Sequence, residues 1–222
     1  MKTNLMELVF ILDRSGSMGG LESDTIGGFN SMLAKQQEQE GECRITTVLF
    51  DHEYEVLHDR IDIKAVSPIT GKEYFVRGTT ALLDAVGRTI HKIGNTQKHT
   101  AEQYRAEKVL FVITTDGMEN ASREYTYSKV KSQIERQKTK YGWEFIFLGA
   151  NIDAVEVADR FGIARNRAQN FHNDGAGIEL NYKVVSKAVS LFRSDRKCES
   201  LADDWSAEIE ADYKQRGGTR RT

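Results

Sequence analysis

Along the chain, unbroken apolar runs alternate with stretches whose apolar residues recur every three or four positions. The runs Leu8-Val9-Phe10-Ile11-Leu12, Val109-Leu110-Phe111-Val112-Ile113 and Phe145-Ile146-Phe147-Leu148 are short and rich in β-branched and aromatic residues. Each ends in a polar or glycine turn. Continuous rather than alternating apolarity implies burial on both faces, as in the central strands of a parallel sheet. The stretches Arg44 to Asp51 and Tyr54 to Ile63 are more mixed, with only His52 and Glu53 between them. They predict an antiparallel hairpin toward one edge of the sheet.

The intervening segments carry helical stripes: Ile26, Phe29 and Leu33; Leu82, Val86, Ile90 and Ile93; Tyr127, Val130 and Ile134; Ala154, Ala158 and Phe161; Leu180, Val184, Ala188 and Phe192. Strand alternating with helix predicts an α/β chain. Its expected form is a doubly wound, Rossmann-like open sheet, mostly parallel with one antiparallel edge strand and helices on both faces. From about Ser194 the pattern changes. Leu201, Trp205, Ile209 and Tyr213 recur every fourth residue among Asp203, Asp204, Glu208, Glu210 and Asp212, ahead of a loose Gly217-Gly218-Thr219-Arg220-Arg221 end. The expected organisation is a domain over 1–193 and a charged tail over 194–222. The tail predicts an acidic amphipathic helix folded back on its own domain, with a partner-docking helix as the alternative.

Composition narrows the function. The 222 residues hold 31 Lys+Arg against 33 Asp+Glu, a formal net charge of −2, which argues against a chain held to nucleic acid or to an acidic membrane by its overall field. The single proline, Pro68, excludes proline-rich linkers. Cys43 and Cys198 are far apart and in no Cys-x-x-Cys spacing, so a reducing cytosol is the expected compartment. The apolar run after the N-terminus is too short for a membrane helix and precedes no cleavage-site pattern, which points the same way.

In an open α/β sheet, ligands bind outside the carboxyl ends of the strands. Three segments fall there: Asp13-Arg14-Ser15-Gly16-Ser17 after the first run, Arg77-Gly78-Thr79-Thr80-Ala81-Leu82 before the second helix, and Thr114-Thr115-Asp116-Gly117 after the Val109 run. They bring two carboxylates and several hydroxyls to one edge, with no thiolate or imidazole. Such a set suits a hard cation, Mg²⁺ or in its place Mn²⁺ or Ca²⁺, and disfavours zinc or copper. Alternation of Asp13, Ser15 and Ser17 in a tight turn can point all three side chains inward.

These residues, in this order and context, resemble the von Willebrand factor A family and its metal-ion-dependent adhesion site over roughly residues 5 to 193. The resemblance implies Ser15, Ser17 and Thr80 as direct ligands, with Asp13 and Asp116 acting largely through water. It also implies a protein partner whose Glu or Asp fills the open position. Thr80-Ala81-Leu82 fits the family's threonine better than Thr79, which takes over if the loop is shifted. The segments Asp116-Gly117-Met118-Glu119-Asn120 and Leu148-Gly149-Ala150-Asn151-Ile152-Asp153 look most like stand-alone bacterial members. Asn151 and Glu119 are candidates for the rim, or for caps and turns.

Other chemistries fit less well. A haloacid-dehalogenase-type Mg²⁺-dependent phosphohydrolase also places an aspartate after its first strand, but it needs a second carboxylate two residues on, where this chain has Ser15. A serine hydrolase needs Gly-x-Ser-x-Gly, and Ser15-Gly16-Ser17-Met18-Gly19 lacks the first glycine. Thr70-Gly71-Lys72-Glu73 has neither the preceding glycine nor the hydroxyl of a P-loop. His52 and His58, beside Asp51, Glu53 and Asp59, suggest a solvated turn before a second metal site. Lys129, Lys131, Arg136, Lys138 and Lys140 share no single helical face, which disfavours a nucleic-acid patch. The expectation is a non-enzymatic recognition module, with no nucleic acid and no membrane as partner. The alternative is an assembly or regulatory subunit with a mainly structural metal, in a multi-protein complex and beside an ATPase as the family resemblance implies.

Overall fold

β1 (Lys2–Asp13) sends alternate side chains to opposite faces: Met6, Leu8, Phe10 and Leu12 enter one apolar cluster, and Leu5, Val9 and Ile11 the other. The computed structural model describes residues 1–194 and 200–218. In it β1 pairs in parallel with both β2 (Glu42–Phe50) and β4 (Ala106–Thr115), so both its faces and both its edges are covered. That double coverage is why its apolar run is unbroken. β5 (Glu144–Gly149) continues in parallel from β4, and β3 (Tyr54–Asp62) runs antiparallel to β2 at the other edge. With β6 (Ala168–Asn170) the order is β3-β2-β1-β4-β5-β6.

Helices cover both faces. α1 (Glu22–Gln37), α5 (Gly175–Ser194) and α6 (Ala207–Gln215) supply apolar side chains to the cluster holding Phe10. The cluster holding Val9 receives α2 (Leu82–His99), α3 (Tyr127–Tyr141) and α4 (Ala154–Arg160). The helix bounds follow local chemistry. Thr126 caps α3 by accepting from the Lys129 amide, and Gly142 ends it in the left-handed conformation at φ 66°. Asp153 accepts from the amides of Val155 and Glu156 to start α4.

The chain leaves β1 through α1 toward β2, then crosses through α2 to β4 on the opposite side of β1. The connections therefore diverge at the carboxyl ends of β1 and β4, where an open α/β sheet forms its crevice. The three candidate loops meet there.

Three features differ from the expectations. β6 is a three-residue strand with no apolar run to announce it, held by pairing with β5. Phe161 is buried beyond the end of α4 rather than within it. The C-terminal helix begins at Ala207, not near Leu201. Arg167, itself buried, donates from Nη2 to the Leu201 carbonyl at 2.6 Å, and the Trp205 amide bonds the Ala202 carbonyl in a turn ahead of the helix. Leu201, Trp205 and Ile209 are all buried in the cluster that lies under α1 and α5. Cys43 is a buried free thiol, whereas Cys198 and Thr219 to Thr222 lie outside the described residues.

Candidate metal centre

Where β1 ends, the Ser15 amide donates to Asp13 Oδ1 at 2.7 Å, which folds the chain into a short 3-10 turn at Gly16–Met18. The second loop is tied to this turn along its length. Gly16 donates to the Gly78 carbonyl at 3.1 Å, Arg77 donates to the Arg14 carbonyl, and the Tyr74 hydroxyl donates to the Asp13 carbonyl at 2.6 Å. Gly78 is at φ 68°, and a Cβ there would lie 2.0 Å from His52 Nδ1, so only glycine fits.

The third loop is tied to the second. Asn120 Oδ1 accepts from the Thr80 amide at 2.9 Å, while the Asn120 and Ala121 amides donate to the Thr80 carbonyl. Glu119 accepts from the amides of Leu83, Ala121 and Ser122, and Asp84 accepts from those of Arg123, Glu124 and Tyr125. Glu119 is therefore a latch between α2 and the loop after β4. Asn151 is an exposed turn residue at φ 55°.

These ties bring five of the candidate side chains together. Thr80 Oγ1 donates to Ser15 Oγ at 3.0 Å, Ser15 Oγ lies 3.2 Å from Ser17 Oγ, and Ser17 Oγ donates to Asp116 Oδ1 at 2.5 Å. Asp13 joins them through Thr115, whose hydroxyl donates to Asp13 Oδ2 at 2.6 Å. Asp13, Ser15, Thr80 and Asp116 are buried, and Ser17 stands exposed at the mouth. Thr79 is exposed and makes none of these bonds, so Thr80 is the threonine of the cluster. A Cβ built on Gly117 would sit 3.1 Å from Ser17 Oγ, 3.2 Å from Thr80 Oγ1 and 4.0 Å from Ser15 Oγ. A side chain at residue 117 would therefore crowd the hydroxyls of Ser17 and Thr80.

The electrostatics are those of a site short of positive charge. Burial pushes the Asp13 carboxyl up to about 6, against the opposing hydrogen bonds from Thr115 and Ser15. Burial also raises Asp116, again opposed by Ser17 and by Asn173. Among the described residues no Lys, Arg or His forms an ion pair with either carboxylate. The nearest guanidinium by sequence, Arg14, is fully buried and turned away to Asp51 Oδ2 at 2.9 Å and to Glu55. For Asp51, burial is outweighed by the hydrogen bonds of Arg77, Glu53 and Arg14, which hold it below the usual range. Two desolvated carboxylates without a counter-charge, three converging hydroxyls and an all-oxygen donor set fit a hard divalent cation.

Other candidates disperse. His58 Nδ1 is 3.0 Å from Thr47 Oγ1 and its ring lies parallel to Phe29, while His52 is a half-exposed partner of Asp51. Among the described residues no group of three or more His, Cys, Asp or Glu is placed to hold a metal. Two participants were not assigned from the sequence. Thr115 directly precedes Asp116 in Thr114-Thr115-Asp116-Gly117, and that adjacency is its signal in the sequence. Asn173, whose Nδ2 donates to Asp116 Oδ2 at 3.1 Å, follows a strand that no apolar run marks.

The fold is that of von Willebrand factor A domains. It is shared with a von Willebrand factor type A structure from Catenulispora acidiphila, at TM-score 0.56 and 12% identity over 83% of this chain and 42% of that one. The vWF domain of the type V pili tip protein Mfa5 from Porphyromonas gingivalis matches at TM-score 0.58 and 12% identity, over 88% of this chain and 98% of that one. A manganese-loaded TRAP protein of Plasmodium vivax matches at TM-score 0.51 and 20% identity, over 68% and 59%. The chain spans about half the length of the first solved chains it matches (46%, 62% and 42%). No protein-family profile and no curated protein matches the sequence.

Proposed function

We propose that this chain is a metal-dependent protein-interaction module, not an enzyme, whose site holds Mg²⁺, with Mn²⁺ or Ca²⁺ as substitutes. Ser15, Ser17 and Thr80 hold the ion directly, and Asp13 and Asp116 act largely through water. A Glu or Asp carboxylate of a protein partner completes the shell. The cation supplies the largest local charge and so most of the attraction for that carboxylate. The surrounding loops set which partner is accepted.

The observation that carries this reading is the convergence of three hydroxyls on the space beside Gly117, with two unpaired carboxylates behind them. Both Asp13 oxygens are already engaged, one by the Ser15 amide and one by Thr115, which suits a role through water rather than direct ligation. The manganese in the TRAP structure supports a divalent ion for this fold. The rival reading, in which the C-terminal segment is the docking element, has burial against it. Leu201, Trp205 and Ile209 already pack into the domain, and Glu208 pairs with Lys183 and Lys187 of α5.

The proposal keeps the chain in the cytosol, the compartment the sequence leads one to expect. Among the described residues no helix is long and apolar enough to cross a membrane. The test is a pull-down from the native host in Mg²⁺ and again in EDTA. Partners should be retained in Mg²⁺, released by EDTA, and absent with Asp13→Ala. Retention that is unchanged in EDTA and in Asp13→Ala overturns the coordination mechanism. Metal-dependent turnover of a phosphate ester, abolished by Asp13→Asn, would instead establish an enzyme.

A further inference from the structure

The short segment between β6 and α5 faces two ways. His172 Nε2 lies 3.2 Å from the Tyr213 carbonyl of α6, and its ring packs on the Tyr213 ring with centroids 4.8 Å apart. Asp174 forms an ion pair with Arg216, just past the end of α6. Between them, Asn173 points the other way and donates from Nδ2 to Asp116 Oδ2 at 3.1 Å. A carboxylate only accepts, so the amide nitrogen of Asn173 must be the group that meets it. Among the described residues Asn173 Oδ1 is buried without a hydrogen-bond partner, so the bond from Nδ2 to Asp116 is the polar contact the amide makes.

The segment has little slack. The Phe171 amide bonds the Gly149 carbonyl, extending the β5–β6 pairing up to the bend. Asp174 Oδ1 accepts from the Gly177 amide at 2.9 Å as α5 begins, and a Cβ on Gly177 would lie 2.1 Å from the His172 carbonyl. A displacement of His172 or Asp174 must therefore move Asn173, and Asn173 touches a carboxylate of the metal centre.

We infer that Asn173 is a positioning residue of the metal centre, aiming Asp116, and that the C-terminal helix holds it there through His172 and Asp174. The inference rests on the proposed metal site and deepens it. The tail that looks remote from the site in sequence becomes one of its supports, and a partner that loosens α6 would weaken the site. Hydrogen-bonded groups behind the residues that hold a metal carry a substantial share of its affinity, because they fix the direction of the lone pairs that meet the ion or its bound water.

The test uses the full chain and Mn²⁺ alone, titrated by calorimetry, with thermal melting in EDTA as the measure of folding. Asn173→Leu keeps the shape and removes the donor, and it should weaken Mn²⁺ binding roughly tenfold. Arg216→Ala, a surface change that keeps the test independent of any folding defect at 173, should weaken it about threefold. The double variant should bind no worse than Asn173→Leu, because the tether acts through that residue. Lys214→Ala, which breaks only a pair with Glu210 within α6, should bind as wild type.

Wild-type affinity in Asn173→Leu overturns the inference, as does a lower melting point with undiminished affinity in the folded protein. Losses that multiply in the double variant overturn the tether. If wild type binds Mn²⁺ and Asp13→Ala does not, the metal site stands whatever happens at Asn173. If wild type binds no Mn²⁺, the site and this inference both fall.

Discussion

Gly117→Ala separates the proposed metal seat from the fold with one methyl group. The added Cβ would stand 3.1 Å from Ser17 Oγ and 3.2 Å from Thr80 Oγ1, against an ordinary contact of about 3.4–4 Å. The hydroxyls must therefore yield by a few tenths of an ångström. Ser17 is exposed and can rotate, but Thr80 is buried and its hydroxyl is bound to Ser15. Residue 117 has φ outside the left-handed region, so alanine is compatible with the backbone. The lost chain entropy of glycine then returns about 0.4–1 kcal/mol, offsetting the crowding. The apo fold should stay within about 1 kcal/mol of wild type.

Metal binding has no such tolerance. Mg²⁺ holds its oxygens at about 2.0–2.1 Å and near right angles, so displacing two hydroxyls of the proposed shell by tenths of an ångström is costly. Mn²⁺ affinity should fall at least tenfold, about 1.4 kcal/mol or more. Calorimetric titration of wild type, Gly117→Ala and Ser15→Ala, with melting of each in EDTA, reads both quantities. Wild-type affinity in Gly117→Ala would place the ion elsewhere. Unfolding of Gly117→Ala in EDTA would show instead that the glycine is needed by the fold, which refutes a role confined to the three hydroxyls.

Saturating divalent cation should also stabilise the fold. At a hundred times the dissociation constant the gain is about 2.7 kcal/mol, or roughly 5–10 °C in Tm for a chain of this size. Asp13→Ala should erase the shift, and a shift that survives it would locate the ion outside the site. Asp84→Ala removes the acceptor for three backbone amides of the loop after β4. It should cost about 2–3 kcal/mol in chemical denaturation, and a loss under 0.5 kcal/mol would show that the loop does not depend on this latch.

The unbroken apolar runs at Leu8, Val109 and Phe145 determined which segments are strands and that they lie inside the sheet, because only burial on two faces tolerates such runs. They also determined where the chemistry stands, since a strand that ends in Asp13 or Thr115-Asp116 must present those residues at its carboxyl edge. The stripes at Phe29, Val86, Val130 and Val184 determined the helices and the faces they bury. All of this is carried by neighbours within one or two turns of chain.

What the tertiary structure alone decided is each contact between distant segments. Ser17 meets Asp116 across 99 residues, and the choice of Thr80 over Thr79 follows from which hydroxyl the ties to Asn120 and Gly16 bring to Ser15. β6 pairs with β5 along its edge, whereas Ala168-Gln169-Asn170 carries no strand pattern of its own. The tail shows the same limit. A four-residue period from Leu201 reads as one helix, yet the helix starts at Ala207, and the Leu201 carbonyl accepts from Arg167, more than thirty residues earlier. Asn173 reached Asp116 by the same kind of long-range placement. Local pattern records what a side chain prefers, whereas the partner that satisfies its last hydrogen bond is set only when the whole chain has packed.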